Sequence, residues 1–153
     1  MRKILVVSDS HGNSAKLGRI IAREKTFDYL IHCGDGVDDL FHVKIPEATT
    51  VVRVYGNMDH NRNNALRIVF LTIDPIRVMI AHGDQFRVHH DCDWIEREGK
   101  LKGVDIVLFG HSHVKYERGG RPILFNPGPA FNGSYGIMIV NHAIKLSHDN
   151  LDD

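Results

Sequence analysis

Apolar residues along this chain gather in short runs, and each early run gives way to polar residues. Lys3 to Val7 is a nearly continuous apolar and β-branched stretch, the pattern of a strand buried on both faces. Behind it, Leu17, Ile20, Ile21 and Ala22 recur at helical spacing. Asn13 or Ser14 stands where a cap belongs, so a helix is predicted as far as about Lys25. Tyr29 to His32 and Thr50 to Tyr55 read as further strands running into glycine, and Val37 to Ile45 as a short irregular helix.

After Asn57 the pattern changes. Leu66 to Ile73 and Ile76 to Ala81 are two strand-like runs joined at Asp74-Pro75, too close for a helical crossover, which predicts an antiparallel pair. His89 to Lys100 reads as a helix with Trp94, Ile95 and Leu101 facing inward, followed by a strand at Asp105 to Phe109. Turns at Gly119-Gly120, Asn126-Pro127-Gly128 and Asn141-His142 divide the remainder into short antiparallel strands. Parallel β-loop-α units followed by hairpins predict an α/β fold: a four-layer sandwich of two packed mixed β-sheets with helices outside. With 153 residues and no linker, repeat or low-complexity segment, residues 1–153 are expected to form a single domain.

Composition mostly excludes. Lys plus Arg equals Asp plus Glu at 19 each, and no long run of like charge occurs, so there is no nucleic-acid footprint. Neither a signal-peptide core nor a membrane span is visible. The 2 cysteines, Cys33 and Cys92, form no metal or disulfide motif, and a soluble cytoplasmic protein is expected. The 11 histidines are the one excess.

Some of them fall into an order. Asp9-Ser10-His11, Gly34-Asp35, Gly56-Asn57, His82-Gly83 and Gly110-His111-Ser112-His113 each follow directly on a predicted strand, where an open α/β sheet places its functional loops. Each segment alone is an ordinary turn. In order and at strand ends, they converge on one rim. Their donors are imidazole nitrogen and carboxylate or amide oxygen without thiolate, a set suited to manganese, iron, nickel, cobalt or zinc. Seven ligands exceed one four-coordinate ion but serve two if one carboxylate bridges. Two divalent ions against Asp9 and Asp35 leave about two positive charges, which attract an anion. A water shared by such ions, its pKa lowered toward ~7, is suited to attack at phosphorus.

These segments resemble the signature of the calcineurin-like metallophosphoesterases, over Ile4 to about Gly128. The short chain and its late Asn126-Pro127-Gly128 are similar to the small single-domain phosphodiesterases of bacteria and archaea. That branch also includes a metal-poor scaffold subunit of the eukaryotic retromer. The resemblance implies that Asp9, His11 and His113 hold one metal and Asn57, His82 and His111 a second, with Asp35 bridging. It implies manganese or a similar ion, and self-association as a dimer or tetramer.

Two departures bear on specificity. Many relatives carry a histidine directly after the Gly-Asn asparagine, positioned by an aspartate three residues past the Gly-Asp aspartate. Here Asp38 is present but Met58 stands in the histidine's place, removing a hydrogen-bond donor that a doubly charged monoester needs more than a diester does. His60 is a substitute acid or a surface residue. Asp84 stands where small relatives have a second histidine after His82-Gly83. The expected function is hydrolysis of a small phosphodiester by a two-metal site. A phosphomonoesterase and a non-catalytic scaffold are the alternatives.

Overall fold

The computed structural model describes residues 1–152. Ten strands, two α-helices and three short 3-10 turns follow in the order β1 (Arg2–Val7), α1 (Ser14–Glu24), β2 (Tyr29–His32), a 3-10 turn (Val37–His42), β3 (Thr50–Arg53), β4 (Ile68–Ile73) and β5 (Ile76–Ala81). A second 3-10 turn (Asp84–Phe86), α2 (Asp93–Lys102), β6 (Ile106–Leu108), β7 (Tyr116–Arg118), β8 (Ile123–Asn126), a third 3-10 turn (Ala130–Asn132), β9 (Ser134–Val140) and β10 (Ile144–Asn150) complete the chain. The strands form two mixed five-stranded sheets, in the orders β10-β9-β1-β2-β3 and β4-β5-β6-β8-β7.

Alternation along the strands builds the layers. In β1, Ile4 and Val6 face the second sheet, while Leu5 and Val7 face α1 and its Leu17, Ile20 and Ile21. In β5, Ile76, Val78 and Ile80 join the same inner layer, and Met79 and Ala81 turn toward Ile95 of α2. The result is helix, sheet, sheet, helix, the sandwich expected. Helix α1 begins where the Asn13 side chain accepts the Lys16 N–H at 3.0 Å, satisfying one of the donors a helix start leaves free.

Three expectations are corrected. The strand β8 pairs antiparallel with β7 but parallel with β6, so the last third is not uniformly antiparallel. The chain then returns to the first sheet, where β9 lies antiparallel to β1. Helix α2 starts at Asp93, and its inner face is not the one expected, because Trp94 is 51% and Leu101 74% exposed. Its buried line is Ile95 and Gly99. A Cβ on Gly99 would stand 2.8 Å from Pro122 and 2.9 Å from Val107, so the helix sits on the sheet through a bare backbone contact that leaves no room for a wider apolar stripe.

Ile95→Ala should therefore cost about 2–5 kcal/mol in urea unfolding, whereas Leu101→Ala should change stability by less than ~0.5 kcal/mol.

Candidate metal centre

The candidate ligands arrive at one rim because β1, β2, β5 and β6 all end there. Asp9 and His11 follow β1, Asp35 follows β2, His82 follows β5, and His111 and His113 follow β6. Two groups result, Asp9 with His11 and His113, and Asp35 with His82 and His111; within each group the donor atoms lie within 4.8 Å of one another.

In the first group Asp9 Oδ1, His11 Nε2 and His113 Nε2 form a triangle with sides of 3.3, 3.3 and 3.2 Å. Ligand atoms ~2.0–2.1 Å from one ion stand roughly 3.0–3.4 Å apart, so a divalent ion fits this triangle. The other carboxylate oxygen is engaged, since Asp9 Oδ2 accepts the Ser8 hydroxyl at 2.6 Å and the His111 N–H at 3.0 Å. Phe131 sets its ring edge-on to both imidazoles, at 5.6 Å from His11 and 5.2 Å from His113.

The second group has the same logic. The His82 Nε2 atom is 3.0 Å from Asp35 Oδ2 and 3.3 Å from His111 Nδ1. His82 Nδ1 lies 2.8 Å from the Cys33 carbonyl, which can only accept, so Nδ1 carries a proton and the neutral ring would present its Nε2 lone pair to a metal. Asp35 Oδ1 accepts the Met58 N–H at 2.8 Å, while Oδ2 is also 3.7 Å from His11. One oxygen of Asp35 thus faces both groups. Asn57 occupies the turn just before that Met58 N–H and is solvent-exposed.

The remaining predicted residues divide. Asp38, Met58 and His60 line a cleft of about 420 Å³ together with His11 and Asp35. Asp38 accepts the Asn63 side-chain amide at 2.6 Å, and the Met58 side chain is 55% exposed. Asp84 pairs with Arg67 and stands outside both groups.

Sequence reasoning missed Asp59. Its buried carboxylate accepts four backbone N–H groups, from Asp35 at 2.7 Å, Gly36 at 2.8 Å, Val37 at 3.1 Å and Gly56 at 2.8 Å. It ties the Gly34-Asp35 loop to the Gly56-Asn57 turn. A Cβ on Gly56 would fall 2.2 Å from Asp35 Oδ1, so only glycine lets the two approach. The available signal was an aspartate three residues after Gly56, where a carboxylate can cap its own turn. His32, also fully buried, is a bracing residue: its Nδ1 accepts the Gly34 N–H at 3.0 Å and its Nε2 meets Ser10 Oγ at 2.9 Å. Asn126 braces the last loop through the Gly110 carbonyl, 3.1 Å, and the Ser112 hydroxyl, 3.0 Å.

Electrostatics follow from this crowding. Burial works to raise the Asp9 and Asp35 carboxyls, but hydrogen bonds and charge from His11 and His82, with N–H and hydroxyl donors, hold both below the ordinary range. His11 is raised, chiefly by its bond to Asp9. In His82 burial pulls downward but the Asp35 bond and both carboxylate charges prevail, so it is raised. The stability that His11 and His82 contribute without metal is complete below the ordinary 6.5 and is lost as pH rises through their raised native values. His32 and His111, lowered first by burial, act oppositely and destabilise the fold as pH falls below 6.5.

Residues 2–142 match the model of the calcineurin-like phosphoesterase superfamily domain. The chain belongs to that superfamily. A probable metallophosphoesterase of Methanocaldococcus jannaschii is 34% identical over 127 residues, which span 80% of this chain and 65% of that protein; the chain thus covers less than two thirds of this relative. Among solved structures, a conserved uncharacterized protein of Streptococcus pneumoniae, a predicted phosphoesterase, superposes with a TM-score of 0.80 at 21% identity, over 99% of this chain and 90% of that one. A novel archaeal phosphodiesterase superposes with a TM-score of 0.77 at 19% identity, over 97% and 99%. At such identities these structures speak for the superfamily's fold alone. Within that fold, this chain carries two candidate metal-ligand groups.

Two measurements test the site. Asp59→Asn leaves one oxygen to serve four N–H groups, so it should cost about 2–4 kcal/mol and weaken metal binding ~10–100-fold by titration calorimetry. In metal-free protein, NMR titration should find His82 above 6.5, and Asp35→Asn should bring it down; an unmoved value would assign the shift to other groups.

Proposed function

We propose that this chain is a metal-dependent phosphodiesterase working with two divalent ions, manganese foremost. The observation that carries the reading is Asp35 Oδ2, which lies 3.0 Å from His82 in one ligand group and 3.7 Å from His11 beside the other. Asp9, His11 and His113 would hold one ion, and Asn57, His82 and His111 the second, with Asp35 between them. When bound, two such ions supply Lewis acidity to the phosphoryl oxygens and an activated water as nucleophile.

The chain's own residues then set what is accepted. Loops braced by Asp59, His32 and Asn126 fix the donors through the protein's own hydrogen bonds, which limits the reorganisation that metal binding would require. The adjoining cleft has Asp38 on its wall and no lysine or arginine among its described lining residues. Asp39 in the same wall is spent on the Gly12 N–H at 3.0 Å. Met58 presents a thioether where a donor would meet a third phosphate oxygen. A cleft with an acidic wall and no cation beyond the ions disfavours a second phosphate charge, which supports a monoanionic diester over a dianionic monoester.

Chelated protein should lose hydrolysis of an activated aryl phosphodiester and regain it with manganese, and should bind close to two ions per chain by elemental analysis. Full activity without metal would sink the reading, and a protein retaining no ion would favour the scaffold alternative. Asp35→Asn should lower activity more than ~100-fold, beyond the loss of a peripheral ligand. Met58→His should raise monoester turnover relative to diester, and an unchanged ratio would remove Met58 from specificity.

A further inference from the structure

The acidic cleft lies on the Asp35 side of the metal centre. A second cavity, of about 330 Å³, lies beside His111, with His89 in its lining. Val88, Phe109, Val114 and Tyr116 give it an apolar wall, and Asp91 and Asp93 are also in its lining. Two of its lining residues adjoin the candidate ligands. Ser112, the residue between His111 and His113, forms part of the lining, and so does His89, whose ring centroid is 4.1 Å from that of His111. Arg118 also lines it. One guanidinium nitrogen of Arg118 reaches Glu96 at 3.0 Å, and the side chain is still 37% exposed, which leaves N–H donors for a further acceptor.

We infer that this cavity is the subsite for one organic arm of the diester, a planar aromatic group carrying a hydrogen-bond acceptor for Arg118. The inference rests on the phosphodiesterase reading. It gives that reading a physical basis in shape, since a diester has two arms and two separate cavities adjoin the candidate ligands and their neighbours. The leaving arm faces the cleft of Asp38, Met58 and His60, and the retained arm lies between Val114 and Tyr116 over the Phe109 floor. A monoester fills only one cavity. The size suits a single ring system, as ligand cavities begin near ~300 Å³.

The test holds the leaving group constant and varies the retained arm, using the methyl, phenyl and thymidine 5′ esters of p-nitrophenyl phosphate with manganese-loaded protein. The phenyl and thymidine esters should exceed the methyl ester at least ~10-fold in kcat/KM, the size expected from burying one ring. Val114→Asp and Tyr116→Ala should each erase most of that preference while changing the methyl ester less than ~3-fold, a separation that uniform loss of a binding contact predicts. Arg118→Met should lower the thymidine ester and spare the phenyl ester. Equal rates for all three esters, or a preference that survives Val114→Asp and Tyr116→Ala, would overturn the inference. Thymidine alone, which has no phosphate, supplies the independent readout. It should shift the NMR signals of the Val88 and Val114 methyl groups even if no diester is hydrolysed, and unmoved methyls would overturn the subsite whatever the activity.

Discussion

The apolar layer between the two sheets is the constraint on which the rest depends. Each candidate ligand group draws on both sheets: Asp9 and His11 from β1 of the first meet His113 from β6 of the second, and Asp35 from β2 meets His82 and His111 from β5 and β6. Facing sheets pack ~10 Å apart, a separation set by the side chains between them. Here those are Ile4, Val6 and Ile31 against Ile80 and Leu108, all fully buried. Close-packed interiors do not deform continuously, so the spacing of these residues fixes whether imidazoles from one sheet reach carboxylates from the other.

Above that layer, buried polar contacts take over. The loops at the strand ends cannot hydrogen-bond as a sheet does, and an unsatisfied N–H there is costly. The carboxylate of Asp59, the ring of His32 and the carbonyl of Cys33 each receive donors from these loops, and the amide of Asn126 donates to the Gly110 carbonyl. Burial keeps Cys33 a neutral thiol, so its carbonyl alone matters to the site. A network satisfied in this way fixes the ligand geometry through the protein itself.

What the sequence revealed follows the same division. Strand ends, the first helix and the order of ligand segments were legible because they rest on local periodicity and on short motifs. Asp59 and Phe131 were not, since their roles depend on partners from other loops: N–H groups at 35–37 in one case, rings of His11 and His113 in the other. The inner face of α2 was misread for a related reason. An amphipathic pattern registers Trp94 and Leu101 as apolar but is blind to Gly99, whose missing side chain lets the helix reach Pro122 and Val107. The parallel pairing of β6 with β8 was hidden by the short hairpin partner β7 that precedes it.

Asp9, His11, Asp35, His111 and His113 share one further property, positive φ angles between 46° and 70°. Left-handed backbone costs an ordinary residue about 1 kcal/mol or more, and these five accept it together to turn their side chains inward. The consequence is that function and stability pull in opposite directions along the same five positions. Glycine or asparagine at His111 or His113 would relieve strain while removing a donor. The substitutions that would empty the rim are therefore the same ones that would firm the fold.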